Sequence, residues 1–134
     1  MGSVAVILLD THALVWAVAE PRLLSKAAAT AILKAQKEDG LAIAAITLWE
    51  LAMLVSRGRI QAFGTLDASV HLLTEGVSVL PITPEIAALS TQFPDDYPQD
   101  PADRLIGATA RSEGLALITR DEKLRSSRLL QTIW

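Results

Sequence analysis

Short apolar runs alternate with helical patterns along this chain, and that alternation restricts it to very few folds. The first run, Val4-Ala5-Val6-Ile7-Leu8-Leu9, is continuous and rich in β-branched residues. It reads as a strand buried on both faces, the mark of a central position in a parallel sheet. Further strands are expected over residues 41–46, 77–80 and 115–118, with a final one over 129–134. Between them lie segments with helical spacing. Residues 11–19 carry Leu14, Val15 and Val18 on one face, and Pro21 breaks the pattern. Ser25 caps a helix over 26–37 whose inner stripe is Ala28, Ala31, Ile32 and Ala35, with Gly40 as its stop. Thr47 opens a helix that ends near Gly58, and another spans 66–74 before Gly76. Thr83-Pro84 starts a short helix as cap and first helical residue. The loop FPDDYPQDP, residues 93–101, leads into a helix carrying Asp103 that runs to Glu113 and stops at Gly114. Residues 121–126 form a short helix or turn. The expected architecture is a three-layer α/β/α sandwich with a mainly parallel central sheet, in one domain over residues 1–134.

Such a sheet gathers strand C-termini and helix N-termini at one edge, where ligands bind. Four acids map there from distant parts of the chain. Asp10 ends the first strand, Asp121 follows the fourth, and Glu50 and Asp103 lie in the first turns of two helices. Packed together, like charges at ~4 Å cost ~4 kcal/mol per pair at an effective dielectric near 20. A bound cation relieves that repulsion. The chain has no cysteine and only two histidines, His12 and His71, far apart in sequence. Disulfides and thiolate metal sites are excluded, and a nitrogen-rich zinc site is disfavoured. Oxygen ligands point to Mg²⁺ or Mn²⁺.

Each acid also has a plain structural reading. Asp10, Asp100 and Asp121 suit helix caps. Thr47-Leu48-Trp49-Glu50 has the capping-box spacing, in which Glu50 reaches back to the cap residue. Asp103 favours the helix dipole. Trp49 and Leu51 read as core. Arg104 has two readings, a surface salt bridge or a contact to an acid or phosphate. Thr119 either satisfies local backbone or hydrogen-bonds a neighbouring carboxylate or metal-bound water. His12 is expected to be a partly buried, hydrogen-bonded imidazole at a helix start, and His71 a surface residue. Asp95 and Asp96 read as solvated. Caps alone do not require a Glu and three Asp to converge.

The formal net charge of −3 is not that of a globally basic nucleic-acid binder. A local basic patch drawn from Arg57, Arg59, Arg104, Arg111, Arg120 and Arg125 remains compatible with RNA. No apolar run reaches membrane-spanning length, and no basic segment precedes the first apolar stretch. The expected location is cytoplasmic.

Four segments, LLDTHALVW (8–16), TLWELAML (47–54), DPADRLIGATA (100–110) and LITRD (117–121), together resemble the PIN-domain family, most closely its VapC-type toxins. The resemblance spans nearly the whole chain. It implies an endoribonuclease in which Asp10, Glu50, Asp103 and Asp121 hold Mg²⁺ or Mn²⁺ and a metal-activated water cleaves the RNA phosphodiester. Asp100 matches a further acid of the DPxDR-type branch. Thr11, Arg104, Thr119 and Arg120 are expected beside the acids or against substrate. The resemblance further implies a homodimer held inactive by a separate antitoxin. No Cys, and no Ser near a His, offers a protein nucleophile, so direct attack by water is expected. Two other readings compete. A small Mg²⁺-dependent phosphatase commonly needs a second Asp two residues after the first, where this chain has His12. A non-catalytic α/β binding module would use the acids as caps only. A dinucleotide-binding fold lacks its Gly-x-Gly-x-x-Gly after the first strand.

Overall fold

The computed structural model describes residues 6–38 and 40–134. Its five strands are β1 (Ile7–Leu9), β2 (Leu41–Ala44), β3 (Ser78–Leu80), β4 (Ala116–Ile118) and β5 (Thr132–Ile133). They form one sheet in the order β3-β2-β1-β4-β5, and every pairing is parallel. Seven helices surround it: α1 (Thr11–Ala19), α2 (Lys26–Gln36), α3 (Ala45–Ser56), α4 (Leu66–Leu73), α5 (Pro84–Ser90), α6 (Pro101–Glu113) and α7 (Glu122–Arg125). The expected parallel α/β sandwich is the fold observed. The first two residues of the expected first strand, Val4 and Ala5, lie outside the described residues.

The pleat of β1 divides the core in two. Ile7 and Leu9 point to one face, Leu8 to the other, because successive strand side chains alternate. On the first face Leu9, Ile43 and Ile118 pack with Ala13, Leu14, Ile32, Leu51 and Leu73 from α1 to α4. On the second, Leu8, Ala42 and Leu117 pack with Ile86, Phe93, Tyr97, Ile106 and Leu124 from the α5–α7 side. Leu8, Leu9, Ile43, Leu117 and Ile118 are fully enclosed, which explains why these strands read as unbroken apolar runs. The outer strands differ. β3 is largely exposed, and β5 pairs through only two residues.

Several boundaries and placements depart from the sequence reading. The second strand stops at Ala44 and α3 begins at once, so Thr47 is not its cap. Ala44 takes that place with no side-chain hydrogen bond. Thr47 is instead completely buried, with its hydroxyl against that of Thr11 at 3.1 Å. The capping box therefore does not form, because a tertiary contact claims its threonine. Trp49 is 58% exposed, not core, whereas Leu51 is fully buried. Val18 is also exposed, since α1 turns Thr11, Ala13 and Leu14 inward and leaves Val18 on the outer face.

The strand order reverses beside β1. The chain moves from β1 to β2 to β3 on one side, then returns to place β4 and β5 on the other. That leaves a crevice at the carboxyl ends of β1 and β4, where open α/β sheets bind ligands.

Candidate active site

The two strands that flank this crevice each end in an acid. Asp10 follows β1 and caps α1, its Oδ1 accepting the Ala13 N–H at 2.8 Å. The Asp10 N–H donates to the Ile118 carbonyl at 3.1 Å, fastening the strand end to β4. Asp121 caps α7 in the same way, its Oδ1 accepting the Lys123 N–H at 2.8 Å and the Leu124 N–H at 3.4 Å. The Asp121 N–H in turn donates to the Thr119 hydroxyl at 3.1 Å. Asp100 caps α6 through bonds from Ala102 N–H at 2.8 Å and Asp103 N–H at 3.3 Å. The cap readings of all three aspartates are thus correct. Each uses one carboxylate oxygen for the cap, so capping and a second role do not exclude one another.

Glu50 and Asp103 cap nothing. Glu50 lies in α3, and its Oε1 accepts a hydrogen bond from the Thr11 hydroxyl. The pair extends to Thr47, giving a chain of two threonines and a glutamate between α1 and α3. Asp103 sits in the first turn of α6 and is half-buried. All five acids line one cavity of about 620 Å³.

Their protonation equilibria show that the acids sense one another. Burial pushes the Asp103 carboxyl up to about 7, and the charges of Asp100, Asp121, Glu50 and Asp10 push the same way. Asp10 is raised by burial, against the pull of hydrogen bonds from Thr119 and Ala13. Glu50 is raised by burial and by Asp100 and Asp10, with the Thr11 hydroxyl opposing. Like charges held together out of water favour the protonated form. Among the described residues, no group of three or more such side chains is arranged to hold a metal ion as it stands.

The remaining candidates divide. Thr11 and Thr119 are buried beside the acids and orient Glu50 and Asp10. Arg120 lines the cavity. Arg104 does not. Its guanidinium lies 5.9 Å from the centre of the Tyr97 ring, and Nη1 donates to the Ser90 carbonyl at 3.3 Å. It ties α6 to α5, and the expected surface salt bridge does not form among the described residues. His12 is exposed, with its ring tilted against Trp16 at 6.0 Å, because α1 turns it toward the cavity and not into the core.

Trp16, Ile106, Glu122 and Trp134 also line the cavity and carried no site assignment from the sequence, and Arg125, a candidate for the basic patch, lines it too. A signal existed for Trp16, which stands four residues after His12 and so shares its helix face. None existed for Trp134, whose place depends on β5 pairing with β4.

Comparison with known proteins places the chain among relatives. The PIN domain family matches residues 7–128. Over 130 residues the chain is 44% identical to "Ribonuclease VapC22" of Mycobacterium tuberculosis, covering 96% of this chain and 98% of that protein. DNA-bound VapBC from Salmonella typhimurium superposes with a TM-score of 0.73 at 19% identity, over 96% of both chains. VapBC2 from Rickettsia felis, bound to a promoter DNA fragment, gives 0.69 at 16% identity over 95% of this chain and 96% of that one. A toxin–antitoxin complex from Klebsiella pneumoniae gives 0.66 at 23% identity over 92% and 94%. At these identities the structures speak for the fold alone.

Proposed function

Since the chain belongs to the PIN-domain family, we propose that it is a divalent-metal-dependent endoribonuclease and the toxin of a toxin–antitoxin pair. The observation that carries this reading is the meeting of six carboxylates, Asp10, Glu50, Asp100, Asp103, Asp121 and Glu122, from four separate stretches of chain, in one cavity at the reversal of strand order. The 44% identical relative named a ribonuclease supports it.

The donor set fits a hard cation. Every candidate ligand is a carboxylate oxygen, which suits Mg²⁺ or Mn²⁺. Asp10, Glu50, Asp103 and Asp121 would hold it, with Asp100 adding charge close by. The mutual repulsion felt at Asp103 is what an ion would relieve. When bound, such an ion lowers the pKa of water and stabilises charge on a phosphate under attack. The protein's own groups prepare that chemistry. Thr11 and Thr119 fix Glu50 and Asp10. Arg120 and Arg125, on the cavity wall, supply positive charge for phosphates of a bound strand.

The competing module reading draws on the caps made by Asp10, Asp100 and Asp121. It leaves Glu50 unexplained, since that residue caps no helix, and gives Asp103 only a favourable place in the first turn of α6. The partner we propose is a small antitoxin, and we infer a homodimer. Large apolar side chains exposed on α3, α4 and the loop between them, Trp49, Phe63, Leu66 and Leu72, offer area for protein contacts. Among the described residues, no helix is long and apolar enough to cross a membrane.

Cleavage of a panel of structured RNAs with Mg²⁺ or Mn²⁺ tests the reading. Asp10→Asn is expected to lower the rate by more than about a hundredfold, beyond what groups that merely support a metal ligand contribute. EDTA should abolish cleavage. Activity that survives both changes would sink the proposal.

A further inference from the structure

The cavity has two chemically different walls. The carboxylates form one. The other is aromatic and basic, and the acid chemistry leaves it unused. Trp16 and Trp134 meet there with ring centres 5.8 Å apart and planes at 57°. Arg120 lies over Trp16 at 5.8 Å, and His12 is tilted against the same ring at 6.0 Å. All four residues line the cavity.

Three features leave this wall open to a ligand, although Trp134 also packs against the core. Both tryptophans are only partly buried. Their tilt prevents flat stacking on each other, so the indole pair keeps aromatic surface toward the cavity. Arg120 sits on an indole although several carboxylates share its cavity, and the ion pair among the described residues is Arg22–Glu20, on a different part of the chain. A cation placed on an aromatic face beside an acid-lined cleft remains available to a phosphate.

We propose that Trp16, backed by Trp134, forms a stacking subsite for one unpaired base next to the scissile phosphate, the base taking the place of the Arg120 guanidinium over the indole. Every base has a π-face, so an indole holds it without hydrogen-bond readout. In a duplex both faces are covered by neighbouring bases, so the subsite admits a nucleotide only from a loop, a bulge or a single strand. Arg120 contacts the phosphate of that nucleotide while the acids address the bond to be cut. The subsite rests on the nuclease reading above, and it adds the residues that require the nucleotide next to the cleavage point to be unpaired.

The test uses protein silenced by Asp103→Asn, with Trp16→Ala or Trp16→Phe added. Affinity is measured by fluorescence anisotropy for a short oligoadenylate and for an oligomer of the same length lacking its bases. Trp16→Ala is expected to weaken oligoadenylate binding about ten- to hundredfold. It should leave the baseless oligomer unchanged, and Trp16→Phe should retain most of the affinity. Equal losses for both oligomers would mean a folding or charge effect and would overturn the subsite. So would no loss for either. The same substitutions in otherwise unchanged protein separate the two levels. If the parent cuts RNA and Trp16→Ala cuts it with the same kcat/KM, the subsite alone falls. If the parent neither binds nor cuts RNA, the nuclease reading falls and takes the subsite with it.

Discussion

Asp103 is the residue at which structure and chemistry press hardest on each other. Its carboxyl is pushed from 3.8 to about 7 by burial and by four neighbouring acids. The folded protein therefore keeps a proton there that the unfolded chain has released. Where the folded state binds more protons, stability falls as pH rises. We expect the metal-free protein in EDTA to lose melting temperature as pH climbs from 3.8 to about 7. Asp103→Asn should flatten that fall and be at least as stable as the parent at neutral pH. The remaining slope belongs to Asp10 and Glu50, raised in the same direction. Melting curves across pH check this, and a steeper fall in Asp103→Asn would contradict it. Gly107 shows the same economy of space in the motif that carries Asp103. A Cβ there would collide with the Tyr97 hydroxyl, which donates to the Asp103 carbonyl at 2.9 Å. Tyr97 lies flat on Phe93, with rings 4.1 Å apart and 10° from parallel. The glycine is required by a neighbour's approach, which the motif alone does not reveal.

At the scale of elements, the long helix α6 and the short helix α7 both begin at acids that also face the cavity. This dual use can be separated experimentally. Asp121→Asn keeps an oxygen to accept the Lys123 N–H but loses the charge. It should lose RNA cleavage while changing stability by less than about 0.5 kcal/mol. Asp121→Ala loses the cap as well and should cost a further ~0.5–2 kcal/mol. Denaturant unfolding beside a cleavage assay reads both, and equal stability for the two variants would refute the cap. Caps and strands were the legible part of this chain. The run ending at Leu9 and the cap at Ser25 identify their elements because local bonding decides them. Asp10 and Asp121 were legible as site candidates because a strand end fixes where the next residue lies. Thr47 misled, since its hydroxyl is taken by Thr11, far away in sequence. Trp49 misled as well, since α3 turns it outward. A long side chain chooses among partners that only the folded molecule presents, and Arg104 chose α5.

At the scale of the whole molecule, the acids tie together β1, α3, α6 and the end of β4. An ion held by them would bind the folded state alone and stabilise it by mass action. At a hundredfold excess over its dissociation constant, Mg²⁺ or Mn²⁺ should add about 2.7 kcal/mol to stability. Calorimetry of the parent with and without EDTA measures this, and Asp10→Asn should lose most of the increment. An unchanged melting temperature with saturating cation would count against the site. The strand order has a further consequence for how a cell makes such a protein. β1, with Asp10, leaves the ribosome early, yet its neighbour β4 and Asp121 are translated more than a hundred residues later. Domains fold as units once their segments are available. A nascent chain still short of β4 carries most of the acids but no crevice to hold them, so the two sides of the site meet only after β4 has emerged.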